Sequence, residues 1–396
     1  MSDIKAKRVS NYELFYDLVF VLATSSLTGL LHGNHIGFKE VTTFITANLI
    51  IMTLWMNETI YLNKYSERDF LDIFTIIPSM YLIGNMLLNF SNDFAQTALP
   101  FNTFLTLSYV IILLQYYLRG RRIGFNEDIK ATLQMLATYI VVFAGATLLV
   151  VFKLWTNDER MLIVYIIPFL ISFFFQKRMS HDPINFPHMV ERCQLITIIT
   201  FGETVIAIIK NYPLLELPLE GILLFFAMAT LFIFYISQTY LTIDHHRKAD
   251  ATVLLYAHLV IVLGLNFFTV AMELFPSHHN DLALPMLIVG NLIFYSGILS
   301  TSFYNQQVHQ VGRRGLFIYA LILLIGNVAL LLDGHSNILL FVILNLLSHA
   351  MVAYHVIRFR KANHSLLGED IIIQFITVKE KKARRLPNSK PSCFLL

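Results

Sequence analysis

The sequence predicts an all-α, polytopic integral membrane protein with about 12 transmembrane helices. Long apolar segments recur from the N-terminus to about residue 357. Apolar residues make up 56% of the 396 and charged residues only 14%, where a typical soluble domain carries about 25% charged. Basic residues fall into alternate loops. The composition excludes a disordered chain. Two cysteines exclude a disulfide scaffold or a cysteine-rich metal module. A net charge of +3 is too small to mark a nucleic-acid binder.

A bilayer core about 30 Å thick takes roughly 20 helical residues. The first segment of that length, 13–31, holds Glu13 and Asp17, which argues against a cleaved signal peptide behind Lys5, Lys7 and Arg8. The second, 40–62, has Trp55, Asn57 and Glu58 near its end. The third, 70–90, places Asp72 in its first turn, where a carboxylate suits the helix dipole, and contains Pro78. The fourth, 98–118, runs into Arg119, Arg121 and Arg122, and the fifth, 130–152, stops at Lys153. The sixth, 160–176, has a short apolar core interrupted by Pro168. The seventh, 190–210, opens on Glu191 and Arg192 and contains Glu203. The remaining five, 219–241, 250–272, 283–303, 316–333 and 337–357, are apolar runs, most of them bounded by charged or Gly- and Pro-containing turns. Porin-like alternation is absent, so helices are the spanning structure.

Loop charge tests this count independently. With the N-terminus inside, 19 basic residues fall on the cytoplasmic side and 4 opposite (Lys39, Lys153, Arg160 and Lys210), leaving out six in the distal tail. The bias follows the positive-inside rule in every cytoplasmic loop, and one missed helix would invert all later loops. Both termini are therefore expected in the cytoplasm. Trp55–Thr59 closes the second span, and Tyr235–Thr239 closes the eighth 180 residues later. Gly120-Arg121-Arg122 after the fourth span is matched by Gly312-Arg313-Arg314 after the tenth. These pairs suggest two parallel six-helix halves, 1–180 and 181–360, followed by a basic cytoplasmic tail, 361–396.

A charge inside hydrocarbon is expensive, so each one needs a reason. Glu203 lies twelve residues beyond Glu191, roughly 18 Å along a helix and near mid-membrane. Gly202 is expected to admit a close backbone, and Thr197, Thr200 and Thr204 to supply hydroxyl partners. A buried carboxyl there is a candidate proton or cation site, and its bland alternative is a neutral acid joining two helices. Glu13 and Asp17 share a face, repel each other and need partners. A helix cap with ion pairs is the structural reading, a relay with Glu203 the functional one, and Arg192 the expected counter-charge. Trp55, Asn57, Glu58, Glu191 and the Arg68-Asp69 loop are supporting candidates.

No P-loop, dinucleotide fingerprint, nucleophile elbow or zinc spacing is present, so no catalytic residue, metal or cofactor is assigned. The fourteen histidines lack metal spacing. His258, His349 and His355 read as polar residues packed between helices more readily than as a proton path. The tail residues Lys379 to Lys390 suit anionic lipid headgroups better than nucleic acid.

Glu13-Leu14-Phe15-Tyr16-Asp17-Leu18-Val19-Phe20 resembles the first-helix signature of the bacterial low temperature requirement protein A family. Glu191-Arg192 followed by Phe201-Gly202-Glu203 resembles its second motif region, with Phe201 where Leu is usual. Trp55 and Arg68-Asp69 fit the family's second-to-third-span pattern. The resemblance covers about residues 8–360. It implies a multi-pass protein of the bacterial cell membrane linked to growth in the cold. The leading functional expectation is an ion-coupled secondary transporter or permease. Its alternatives are a protein that organises lipid or a partner, and a lipid-modifying membrane enzyme.

Overall fold

The computed structural model describes residues 7–31, 36–91, 93–154, 161–179, 181–213, 219–276, 280–332 and 337–366. The basic tail beyond 366, with its expected lipid contact, and the His278-His279 pair lie outside them.

Among the described residues twelve α-helices follow one another: α1 (Asn11–Gly29), α2 (Phe38–Lys64), α3 (Phe70–Leu88), α4 (Phe94–Ile123), α5 (Glu127–Val151), α6 (Met161–Phe175), α7 (Phe186–Asn211), α8 (Leu219–Ile236), α9 (Thr252–Leu274), α10 (Asn280–Thr301), α11 (Arg313–Leu332) and α12 (Asn337–Leu366). A π-helical turn, Ser237–Thr242, extends α8. Nine of these helices are long and apolar enough to cross a membrane. The other three are α1, α2 and α6. Helix α6 has 15 residues and contains Pro168. Helix α1 carries Glu13 and Asp17 within its first two turns, and α2 is polar at both ends and buried almost continuously from Thr43 to Asn63.

Surface and interior are arranged for lipid. Leu316, Phe317, Leu321, Leu324, Ile325, Val328, Leu331 and Leu332 of α11 are all exposed, whereas its buried face holds Gly315, Tyr319, Gly326 and Asn327. Exposed apolar residues on the outside with polar groups inside suit embedding in a bilayer.

Seven neighbour pairs organise the first six helices: α2–α4, and a set of six, α1–α2, α1–α3, α2–α6, α3–α4, α4–α5 and α5–α6. The same six pairs recur six helices later: α7–α8, α7–α9, α8–α12, α9–α10, α10–α11 and α11–α12. The two sets meet where α1 and α2 pack on α7 and α9. The tightest packing is between α9 and α10. A Cβ on Gly264 would lie 2.5 Å from the Phe294 backbone nitrogen, so only glycine permits this approach.

Loops α2–α3, α4–α5, α6–α7, α8–α9 and α10–α11 gather at one end. Tyr65 and Asn126 both bond Asp182, Phe186 packs on Tyr304, and the Asp244 amide donates to the Tyr304 carbonyl. The same end receives Lys7, whose ammonium donates to the carbonyls of Leu62 and Ser66 at 2.5 and 3.0 Å.

Candidate functional site

The site begins where α1 lies along α7. Glu13 sits at the third position of α1 and closes a capping box with Ser10: the Ser10 amide donates to Glu13 Oε2 at 2.6 Å, and the Glu13 amide donates to Ser10 Oγ at 3.4 Å. The same Oε2 lies 3.3 Å from His188 Nε2 on α7. Asn63 Oδ1 accepts the Asn185 amide at 2.9 Å, which turns its Nδ2 toward His188 Nδ1, also at 2.9 Å. Nδ1 therefore accepts, Nε2 carries the proton facing Glu13, and the ring is neutral.

One turn deeper, Arg192 Nη2 donates to Asp17 Oδ1 at 2.7 Å and to Thr59 Oγ1 at 3.3 Å. Trp55 Nε1 donates to the same Asp17 oxygen at 2.9 Å, and the guanidinium lies 5.9 Å from the Trp55 ring. Arg192 is fully buried. The expected counter-charge thus reaches Asp17, while Glu13 takes His188 instead. Residues 13 and 17 mesh with 188 and 192, and Ser25 farther along α1 neighbours Glu203 farther along α7. The two helices therefore run in the same direction.

Glu58 continues the buried chamber. Its Oε1 accepts Gln115 Nε2 of α4 at 2.8 Å, and that amide also reaches Thr75 Oγ1 of α3 at 3.0 Å. Asp17 Oδ2, Glu13 Oε1, Glu58 Oε2, Gln115 Oε1 and Arg192 Nε and Nη1 are buried with no hydrogen-bond partner among the described residues, and the Tyr16 and Ser79 hydroxyls have only each other. Tyr16 shares the field of Asp17, Glu58 and Arg192. Native proteins leave few such atoms unpaired, and each one needs an explanation.

Arg68 and Asp69 belong to a second network at the loop end. Arg68 is in the left-handed region, with φ 63°, and its amide donates to Asp72 Oδ2 at 2.9 Å. Asp69 caps α3 through the Asp72 amide and pairs with Arg119 and Arg122. Burial raises the Asp69 pKa, but that amide and the two guanidinium groups outweigh it and hold the carboxyl below its usual range. Asp72 is more than a dipole partner: it is fully buried and bonds Arg119, Tyr61 and Ser66.

A cavity of about 590 Å³ opens at this end between α2, α4, α5 and the start of α9, with Asn57, Lys64, Tyr65, Asp182, Lys248 and Leu255 in its wall. A smaller space of about 80 Å³ continues it inward past Thr53, Met56 and Ser172. Asn57 faces this cavity, whereas Trp55, Glu58 and Thr59 turn toward the charged chamber on other sides of α2.

Several expected details are corrected. Gly202 does not admit a backbone: it is exposed, and a Cβ there would meet nothing within 4 Å. Thr197, Thr200 and Thr204 donate to carbonyls four residues earlier in α7 instead of to Glu203. Glu203 is 8% exposed and neighbours Ser25, Lys210 and Glu273. Eleven residues separate it from Arg192, about 16 Å along the helix, so it is not in contact with Glu13 and Asp17. Glu191 is exposed although Arg192 beside it is buried. The sequence reading missed His188, Asn63, Gln115 and the inward role of Arg119. Their signal was available: His188 and Arg192 repeat the four-residue spacing of Glu13 and Asp17, and Gln115 and Arg119 repeat it again.

At the same end, α8 and its π turn carry a neutral counterpart. The Tyr235 hydroxyl lies 3.0 Å from His258 Nε2, and His258 Nδ1 lies 2.8 Å from the Leu254 carbonyl. Gln238 Nε2 donates to Asn305 Oδ1 at 2.8 Å and to Thr301 Oγ1 at 3.3 Å. The described residues place no group of three His, Cys, Asp or Glu where it could hold a metal ion.

A family model described as bacterial low temperature requirement A protein (LtrA) matches residues 8–353. No curated protein matches the chain. With its motif residues on α1, α2 and α7 and its apolar outer surface, the chain belongs to the LtrA family and is a multi-pass bacterial membrane protein.

Proposed function

We propose that the chain is an ion-coupled secondary transporter made of two parallel six-helix halves, 1–180 and 181–360, with twelve spans and both termini in the cytoplasm. The recurring neighbour pairs support the two halves. The common direction of α1 and α7 fits an even number of spans per half. The loops of the positive-inside count meet at one end, which supports the orientation.

One observation carries the functional reading. Three buried carboxyls, Glu13, Asp17 and Glu58, face one buried guanidinium and a neutral histidine, with the Lys7 ammonium also in the field of Glu13, so three negative charges meet two positive ones. If all ionise, the chamber holds excess negative charge in a low-dielectric interior, and a proton or a cation must balance it. No group of three His, Cys, Asp or Glu is placed to hold a metal ion among the described residues, and a proton needs only one carboxyl, so this reading takes the proton as the coupling ion. The adjoining cavity supplies a route from the loop end as far as Asn57. In this reading Asp17 and Glu58 exchange the proton, Glu13 and His188 stand at the inner mouth, and Arg192 resets Asp17. Glu203 is the outward station. Access alternates by rocking α1 and α2 against α7 and α9.

The test is proton flux in vesicles that hold the purified full-length protein and a bacterial small-molecule extract. A pH-sensitive dye reports the response to an imposed gradient. Parent protein should move protons faster than protein-free vesicles. Asp17→Asn and Glu58→Gln should abolish the difference while remaining monodisperse, and Glu203→Gln should slow it. A parent rate equal to that of protein-free vesicles overturns the reading.

A further inference from the structure

A groove of about 430 Å³ lies on the outer surface between the start of α3 and the end of α4, lined by Phe70, Phe74, Tyr117, Arg121 and Arg122 among others. Phe70 and Phe74 are 77% and 65% exposed and stack with centroids 5.6 Å apart. Tyr117 is also exposed and packs beside Phe125 at the loop. These rings stand where the apolar surface of the bundle gives way to charged loops, the depth at which aromatic side chains favour a membrane interface.

The charges above the rings are unequal in their commitments. Glu67, Asp69 and Asp72 are the nearby carboxylates, and all three engage Arg119, with Asp69 also engaging Arg122. Arg121 is exposed and has no ion-pair partner among the described residues. A guanidinium fork matches phosphate oxygens in pairs.

We infer that this groove binds one anionic phospholipid, its phosphate on Arg121 and Arg122 and an acyl chain along Phe70, Phe74 and Tyr117. Charge complementarity fixes the sign of the headgroup. The apolar surface below fixes a lipid as the source, because a free phosphate gains nothing from three exposed rings. The site is independent of any transport activity.

The test uses full-length protein in detergent micelles doped with phosphatidylglycerol or phosphatidylcholine, with bound lipid read by native mass spectrometry and by thermal stabilisation. Phosphatidylglycerol should bind more tightly. Arg121→Gln should weaken it about fivefold, the effect of one interfacial cation, and Arg121→Lys should recover part of the loss. Arg121 has no ion-pair partner to lose among the described residues, so both variants should fold. Arg314→Gln, at an exposed arginine of α11 at the same end, should change little. Equal binding of the two lipids, equal loss in Arg314→Gln, or displacement by inorganic phosphate overturns the inference.

Discussion

Two polar clusters sit at the same end of the bundle and use matching parts of it. One surrounds Trp55, Glu58 and Thr59 at the end of α2, and the other Tyr235, Gln238 and Thr239 at the end of α8. In both, the aromatic group reaches back to the preceding helix: Trp55 Nε1 donates to Asp17, and the Tyr235 hydroxyl, whose one proton faces His258, lies 3.4 Å from the Cys193 carbonyl. In both, the residue three positions further along crosses to the helix two further on, Glu58 to Gln115 and Gln238 to Thr301. Only the first is charged. The α2 cluster leaves oxygens of Asp17 and Glu58 and nitrogens of Arg192 unpaired, while no side-chain atom of Tyr235, Gln238, His258 or Asn305 is orphaned. A neutral network can hold helices together at low electrostatic cost. A buried ion pair is often no more stabilising than packed apolar groups. The α8 cluster thus shows a neutral solution at the matching position of this scaffold, and that contrast supports the role proposed for the charge around α2.

The largest expected effect breaks the charged side. Arg192→Ala leaves Asp17 buried without its counter-charge and should cost about 3–5 kcal/mol, read as thermal unfolding in detergent. Asp17→Asn in the same chain should recover part of that loss. A single variant as stable as the parent would mean that the pair carries no energy. The converse experiment puts charge into the neutral side. Gln238→Glu should cost about 2.5–3.5 kcal/mol, because Asn305 Oδ1 accepts from Gln238 Nε2 and would face a carboxylate instead. If Gln238→Glu is tolerated while Arg192→Ala is not, the two clusters differ in partners and not in burial.

Much of the fold was legible. The predicted segment 13–31 corresponds to Asn11–Gly29, 160–176 to Met161–Phe175, and 250–272 to Thr252–Leu274, because apolar runs and their charged boundaries directly set helix length. Motif residues on α1, α2 and α7 were also visible, since charge inside an apolar run stands out. Which helices touch was not visible. Apolar surface that faces lipid and apolar surface that faces protein look alike in one sequence. His188 and Arg119 were obscured by position, since a polar residue next to a loop has a bland explanation. The helpful signal is a polar stripe at helical spacing, as in Asp72, Thr75 and Ser79 of α3, all of them buried. In a membrane protein that stripe marks the inward face.

A smaller effect sharpens the neutral side. His258 Nδ1 donates to the Leu254 carbonyl, so its Nε2 accepts from Tyr235. Tyr235→Phe removes that donor and strands a buried acceptor, for about 1–3 kcal/mol. Tyr16→Phe offers the contrast on the charged side, because the Tyr16 hydroxyl neighbours only the Ser79 hydroxyl, which can turn to another acceptor, and no ring nitrogen depends on it. It should cost less than Tyr235→Phe in the same unfolding assay, and the reverse order would show that the Tyr16 hydroxyl is the more firmly bonded of the two.

The smallest effect asks whether burial is what separates the charged chamber from ordinary ion pairs. Asp69 carries the same chemistry as Asp17, a carboxylate beside arginines, but its side chain is 28% exposed. Its pKa is held below the ordinary value by the Asp72 amide, Arg119 and Arg122 against the opposing effect of burial. The sign follows from that direction. The carboxylate's contribution is complete above the unfolded value of about 3.9 and is lost as pH falls through the folded one. Asp69→Asn keeps a competent helix cap and removes only the charge. It should lower stability at neutral pH by about 0.2–1 kcal/mol, and the difference from parent should shrink as the medium is acidified below about pH 4. Salt should weaken the effect, because water reaches this pair, whereas salt should leave the cost of Arg192→Ala unchanged. A salt-insensitive Asp69 variant would place both arginine sites in the same environment and remove the distinction between them.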